Sequence, residues 1–541
     1  RFSFLYSFVV LYMAYRAWLE RKHFTPAQTI FAAVLAAGVL ACSNELTEMV
    51  PVELGSFTLD IPLYFLYNLI FLTLYLLAML VGSVKEKLPE DATEAQIRQA
   101  REEDRYQRRR SARLLLTVMA VELAANLICF GLYFTGTNVS NYPKGTEHTA
   151  SVIRYMKERE RNNLFFRAET THTQTLNDGA LNGYNGVSAF TSSANVKTTL
   201  FMQALGYGAK NTYNRYCFEE SSPVANLFLG LKYMIDRDDK DKTSAFFAEK
   251  NHYGKTTLLE NQAYLPLAFL AEPELAGLVF DASGNAFRFQ NELFRAATGL
   301  REDVWHRIPG DYLSLSSQDA TITEQDSTGY LKYSDTKKNG SVTYGYQIPR
   351  DGFACIHLNL PKRNDYYVSV NGVELYKETI SLPQMIAVDD VKAGDILEIR
   401  VVCKADENST MTVEAAVLDM DVFWDGYEIL NASTLQLTAF ESSYVKGIID
   451  CDRDGLLYTS IPQNGNWKVT VDGKPAEPEL VGDCMVGVRL SQGQHLVEYR
   501  YRNGAFALGW KISLLCAAVF GLMGFRTRPA LPVNRKGKFE R

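Results

Sequence analysis

The apolar run "LLLTVMAVELAANLICFGLYF" at residues 114–134 carries two polar side chains, Glu122 and Asn126, four apart and so on one helix face. An ionisable group inside hydrocarbon is costly unless it meets a partner or water. Glu122 is therefore a candidate for lining a polar groove, with a helix-packing hydrogen bond as the plainer role. More carboxylates, Glu45, Glu48, Glu53 and Asp60, fall in "SNELTEMVPVELGSFTLD", between two other apolar runs. At a membrane surface they could act as a base or hold a divalent ion near a lipid phosphate, though an ordinary acidic loop has the same composition. Arg1 could grip a lipid phosphate through its guanidinium fork, or simply reach up to the interface.

Aromatic side chains at Tyr184, Trp305 and Trp424 are candidates for stacking on sugar rings. Trp467 heads a strand whose alternation points it inward, so it reads as core. The seven histidines are isolated in sequence. The eight cysteines form no CxxC pair, so a zinc site has no support, and five of them in the polar middle leave room for one or two disulfides. GxSxG, HExxH, P-loop and GxGxxG patterns are all missing from the sequence, which removes the common soluble-enzyme classes. A net charge of −6 argues against a nucleic-acid partner.

The elements that must position these groups begin with membrane helices. Mean hydropathy over the 541 residues is −0.13, an average that hides two apolar ends and a polar middle. A span needs about 20 mostly apolar residues. Five runs qualify, at about 2–18, 26–42, 61–84, 114–134 and 506–525, the second being the shortest and weakest. Lys and Arg gather in the loop after the first run, in the loop 85–113 after the third ("RRRSAR") and in the tail 526–541, whereas the loop after the second run has none. Because basic residues accumulate on the cytoplasmic side, this predicts the chain start and residues 138–505 outside and a cytoplasmic C-terminus. The loop 85–113 reads as a solvated helix with membrane-facing bases at its end. A first residue that lies outside and at once enters a span, with no initiator Met, leads us to expect further spans upstream of Arg1.

Residues 138–347 mix helical and strand patterns and predict an extracytoplasmic α/β domain. Val152, Ile153 and Met156 share a helix face, "LFFRAE" and "LGLKYMIDRDDKDK" read as strands, and "NDGALNGYNGVSAFTSS" reads as a loop. Residues 348–505 are β. "YYVSVNGVELY" and "WKVTVDGKPA" alternate up to an Asn-Gly or Asp-Gly turn, a strong hairpin signal. They belong to an internal repeat, about 351–402 against 454–501, in which "KAGDILEIRVV" aligns with "SQGQHLVEYRY". The repeat predicts two tandem β-sandwich modules, or one sandwich built from two halves.

Several blocks carry a family resemblance: "RFSFLYSFVVLYMAY", "LNGYNGVSAFTSS", "LFLGLKYMI", "LLENQAYLPLAF" and the long ending from "GLLYTSIPQNGNWKVTVDGKPAEPEL" into the last apolar run. Over nearly its whole length the chain resembles the bacterial YfhO family of polytopic membrane proteins. The resemblance implies a glycosyltransferase of the GT-C type: a polytopic helical membrane domain, here partial, followed by the extracytoplasmic domains. Its implied partners are a polyprenyl-phosphate-linked sugar, a cell-envelope acceptor such as lipoteichoic acid, and the lipid bilayer. No cofactor is evident beyond a possible divalent cation. In such enzymes the catalytic carboxylate sits in the first outer loop, which is expected upstream of Arg1, so the resemblance assigns no catalytic residue here. The competing expectation is a non-enzymatic surface protein that binds wall glycan through its sandwiches while its helices anchor it.

Overall fold

The computed structural model describes residues 3–20, 24–46, 52–54, 57–59, 61–81, 92–133, 146–207, 213–218, 222–237, 245–279, 284–338, 340–360, 363–380 and 382–526. They fall into two units, Arg1–Tyr142 and Pro143–Arg541.

The first unit contains helices Ser3–Glu20, Pro26–Leu46, Ile61–Val81 and Glu94–Tyr133, with a short hairpin, Val52–Leu54 paired to Phe57–Leu59, between the second and third. The expected polytopic helical domain with five spans is met only in part. Two described helices are long and apolar enough to cross a membrane, Glu94–Ile128 here and Gly504–Met523 at the end of the second unit. Pro26–Ala41 and Tyr67–Val81 are shorter apolar helices. They lie within the 21-residue helices Pro26–Leu46 and Ile61–Val81. The solvated helix expected before the fourth run is continuous with it, forming one helix of 40 residues. Its polar half is rich in Glu, Gln, Ala and Arg, strong helix formers, and carries i,i+4 ion pairs Glu94–Arg98 at 3.8 Å and Asp104–Arg108 at 2.6 Å.

The second unit opens with an α/β layer. Its sheet runs Arg167–Thr170, Leu231–Arg237, Thr256–Asn261, Phe247–Tyr253, and the first two strands are parallel. Helix Thr146–Arg159 contributes Val152, Ile153 and Met156, all buried, to the core against this sheet. A larger core gathers side chains of helices Val196–Ala204, Pro223–Leu229, Ala286–Thr298 and Met420–Asn431. Asn285 caps the third of these by accepting from the Arg288 N–H at 2.9 Å, and Gly299, at φ 75°, ends it. The last two helices meet where Gly426 lies against the Phe294 ring, in space that a Cβ would occupy.

Two β-sandwiches follow, each with its own core. One five-stranded sheet of the first runs Leu313–Gln318, Ser341–Gln347, Ile396–Val402, Asn364–Val370, Val373–Ile380. Its counterpart in the second runs Gln436–Glu441, Tyr444–Cys451, Gly493–Tyr501, Trp467–Val471, Lys474–Ala476. The last hairpins turn at Asn371-Gly372 (φ 51° and 78°) and Asp472-Gly473 (φ 52° and 75°), the left-handed pairs that a tight type I′ hairpin demands. Both turns dock on the neighbouring strand in the same way. Asn371 accepts from the Ile396 N–H at 2.9 Å, and Asp472 accepts from the Leu496 N–H at 2.9 Å. The repeat is thus a pair of modules.

Two boundaries differ from the sequence reading. The first sandwich starts at Trp305–Arg307, which pairs with Ser409–Leu418, well before residue 348. Its strands Leu313–Gln318 and Thr321–Gln325 are edge strands of mostly exposed Ser, Thr and Gln, so no apolar alternation advertises them. The second sandwich takes in Ala268–Ala271, which pairs with Gly455–Pro462. Cys217, Cys355, Cys403, Cys451 and Cys484 are buried as thiols, so none forms the disulfide that the sequence left open.

Candidate functional site

The structure gathers buried polar chemistry at the carboxyl ends of the two parallel strands, where open α/β sheets hold their ligands. Glu169 sits at the end of the first of these, 1% exposed. One carboxylate oxygen accepts from the Val187 N–H at 2.9 Å and the Ser188 N–H at 2.6 Å, the other from the Thr170 N–H at 3.0 Å. These donors favour the ionised form, but burial outweighs them and pushes the carboxyl up to about 7. Beside it, the hydroxyls of Thr170 and Tyr184 are buried with no hydrogen-bond partner among the described residues. Burial, with Glu169 and Asp178 nearby, raises the Tyr184 phenol.

At the end of the neighbouring strand, Arg237 pairs with Asp178 at 3.3 Å, both nearly fully buried. Thr171 donates to Asp236 at 2.8 Å. The Gln174 N–H binds one Asp178 oxygen at 2.9 Å, and the other oxygen is buried with no partner among the described residues. The loop after Tyr184 approaches closely enough that a Cβ on Gly179 would strike the Gly186 backbone. Glu169 thus clasps the Tyr184–Ser188 backbone over the strand ends. Its available chemistry is proton uptake near neutrality and loop positioning, since a carboxyl this buried meets no substrate directly.

A second polar recess, with room of only about 10 Å³, opens on the first sandwich between Arg307, Ser327, Thr328, Tyr346 and Glu414. Arg307 donates to Glu414 at 2.7 Å. Asn285 also donates to Glu414, and His357 lies 3.7 Å from it with neither ring nitrogen in a hydrogen bond among the described residues.

The residues singled out from the sequence are scattered. Glu122 and Asn126 do share a face, and each meets a tyrosine of the preceding helix: Tyr75 donates to Glu122, and Tyr67 donates to Asn126 at 3.0 Å. With the Ser111 hydroxyl bound to the Ala78 carbonyl at 2.8 Å, they form a ladder of polar contacts joining the two helices. Arg1, Glu48 and Asp60 lie outside the described residues; Glu45 ends within helix Pro26–Leu46 and Glu53 within Val52–Leu54, and their side chains are not described.

Trp305 and Tyr184 are corrected as glycan platforms, because their faces are covered. Trp305 is 1% exposed and donates through its indole N–H to Gln290 at 2.9 Å. Tyr184 is 8% exposed, in the core beside Glu169. Trp424 is half-buried, stacked on Phe246 and edge-on to Phe423 and Tyr427. Trp467 does point to the inner, Val469 side of its strand, but is only half-buried because it occupies the sheet's last rung. Sequence reasoning missed Glu169, whose one signal is a carboxylate ending a strand just upstream of a Gly- and Asn-rich loop. Among the described residues no group of three or more His, Cys, Asp or Glu side chains is arranged to hold a metal ion.

No curated protein matches the chain. Among solved structures it is similar to a Paenibacillus cycloisomaltooligosaccharide glucanotransferase complexed with cycloisomaltoheptaose, at 7% identity and TM-score 0.17, over 39% of this chain and 49% of that one. The chain therefore spans about half the length of that enzyme. Discoidin II from Dictyostelium discoideum matches at 10% identity and TM-score 0.15, over 36% of this chain and 97% of its own. A GH2 beta-galacturonidase from Eisenbergiella tayi bound to glycerol matches at 9% identity and TM-score 0.14, over 37% of each chain. At these scores none carries an argument. The family described as bacterial membrane protein YfhO, by contrast, matches residues 1–513, from the first apolar helix through both sandwiches into the last helix. The chain belongs to the YfhO family of bacterial membrane proteins.

Proposed function

We propose that the protein is a membrane glycosyltransferase that moves a sugar from a polyprenyl-phosphate carrier to an extracytoplasmic cell-envelope acceptor such as lipoteichoic acid. The observation that carries this reading is the unbroken family match across helices and ectodomain alike. A binding module that merely used helices as an anchor would not need the two to form one family unit. In this reading the chain crosses the membrane several times, the domains from Thr146 to Tyr501 lie outside and the C-terminus inside, as the distribution of Lys and Arg suggests. The apolar helices would flank the carrier's isoprenoid tail, and the α/β layer would help present the acceptor. A groove role for Glu122 requires its bond to Tyr75 to open.

The test is deletion of the gene, with the sugar content of lipoteichoic acid and the other wall polymers measured before and after complementation. Loss of one sugar substituent, restored by the wild-type gene, supports the transferase. Unchanged glycosylation of every surface polymer overturns it. A second reading, glycan binding by the ectodomain, is favoured by the Arg307–Glu414 recess, whose guanidinium and hydroxyl lining suits a single hydroxyl of a glycan resting on this surface. Calorimetric titration of the protein with wall-polymer fragments, and its loss in Arg307→Ala, would test that role.

A further inference from the structure

Strand Gly493–Tyr501 of the second sandwich runs into helix Gly504–Arg526 through only Arg502 and Asn503. The link is fixed at both sides. The Arg502 N–H donates to the Asn466 carbonyl at 2.8 Å, and the Asn503 side chain caps the helix by accepting from the Phe506 N–H at 2.9 Å. A residue spans at most about 3.6 Å of chain, so the last rungs of the sheet sit within about 10 Å of the first apolar turn. The helix's 23 residues are about 35 Å long, enough to fill a hydrocarbon layer of about 30 Å and leave its first turn at the edge.

The rungs at this level have an interfacial composition. Tyr501 pairs with Trp467, and Arg500 with Lys468 on one side and Tyr444 on the other. Alternation sends Trp467 and Tyr501, edge-on at 5.3 Å, to the inner side, where they close the end of the sandwich while staying half-exposed. It sends Lys468, Arg500 and Tyr444 to the outer side, with the Arg500 guanidinium over the Tyr444 ring at 4.3 Å. Lys468, Arg500 and Arg502 are exposed. On the same rungs the one exposed carboxylate is Glu441, and Glu498 just above is held by Arg500 at 2.9 Å and Lys446 at 3.2 Å. The turn tips Ser442-Ser443 and Asn464-Gly465-Asn466 reach the same level: the Tyr501 N–H donates to the Ser443 carbonyl, and its hydroxyl accepts from Asn464 and Asn466.

We infer that this end of the second sandwich rests on the headgroup layer of the membrane that holds Gly504–Arg526, with Trp467 and Tyr501 at the interface and Lys468, Arg500 and Arg502 contacting anionic lipid phosphates. Trp and Tyr concentrate at that depth because one part of the ring is apolar and the other wet, and each Lys or Arg near an anionic surface adds attraction. The contact fixes the sandwich against the bilayer plane, which the two-residue link alone does not do.

Two measurements on the full chain in lipid nanodiscs test this. In the first, the fluorescence lost in Trp467→Phe is the Trp467 component. It should be quenched by a nitroxide on the lipid headgroup and less by one at the bilayer centre; absence of headgroup quenching overturns the inference. In the second, Lys468→Gln/Arg502→Gln should lower the preference for phosphatidylglycerol over phosphatidylcholine in the bound lipid by roughly tenfold. Among the described residues neither side chain has a hydrogen-bonded partner whose loss would unfold the domain, and Arg502 keeps its backbone bond. An unchanged lipid preference overturns the phosphate contacts.

Discussion

In the first sandwich the strand beside Gly352–Asn359 is Ser409–Leu418, from the same module, whereas in the second the equivalent place beside Gly455–Pro462 is filled by Ala268–Ala271, from the α/β part of the chain. The other halves of the two match strand for strand. The buried core of the first comes wholly from Ile308 to Val417, while that of the second includes Phe165, Leu267, Ala268 and Leu270. The first sandwich closes its inner core with its own strands, though the other face of its sheet lends Phe353, Cys355, Met385 and Ala416 to the helical core; the second draws part of its inner core from what precedes it. A long loop must close before that second core forms, and its closure entropy makes the folding of the two regions cooperative.

The comparison breaks most visibly at the borrowed strand. Leu270→Asp buries a charge in a strand position 1% exposed, and should expose the amides of the second sandwich and the α/β layer to hydrogen exchange while those of the first stay protected. Equal loss in both sandwiches would refute the asymmetry.

A smaller effect is expected at Arg167, the polar tie between the same two parts. It donates to Leu229 O at 2.7 Å, Ser460 Oγ at 2.7 Å and Ser460 O at 3.1 Å, and burial draws its guanidinium below the ordinary range. Arg167→Met leaves those acceptors unsatisfied and should cost about 2–3 kcal/mol in chemical denaturation of this part.

Glu169 sharpens the picture with pH. Its folded value near 7 exceeds the unpaired value of 4.5, so the native state holds the proton more tightly than the unfolded chain. Its stabilising contribution is therefore full below 4.5 and lost as pH rises through about 7. In thermal melts the α/β layer should lose stability over that window in the wild type, and Glu169→Gln should flatten the loss. The smallest effects should be equal in the two repeats. Gly372→Ala and Gly473→Ala meet no neighbour within 4 Å, so each carries only the strain of a left-handed residue, about 1 kcal/mol by denaturant titration.

What could be read in advance follows from how local each signal is. "VSVNG" and "VTVDG" encode strand, turn and register in five residues, and the structure turns both into twin hairpins. The face formed by Val152, Ile153 and Met156 was equally legible, since helical periodicity needs no distant partner. "AFLA" at Ala268–Ala271 is buried on both faces, so it shows no alternation and nothing local says which sheet it joins. Trp305 looked like a platform because exposure is not written in a residue type. Its cover comes from Phe287, Phe353 and Gln290, close in space but spread along the chain. Glu169 was illegible for the same reason: its shifted protonation arises from burial and from the backbone of a loop 18 residues on.

The helix Glu94–Tyr133 also acts as a mechanical part. Forty residues make a rod about 60 Å long, roughly twice the thickness of the hydrocarbon layer. Its apolar half is tied to the preceding helix through Ser111, Glu122 and Asn126, and its polar half is stiffened by ion pairs along its surface. Such a rod is a lever. A tilt of about 10° about its middle swings the polar tip by about 5 Å, so a rearrangement among the apolar helices would be felt as displacement well beyond the bilayer.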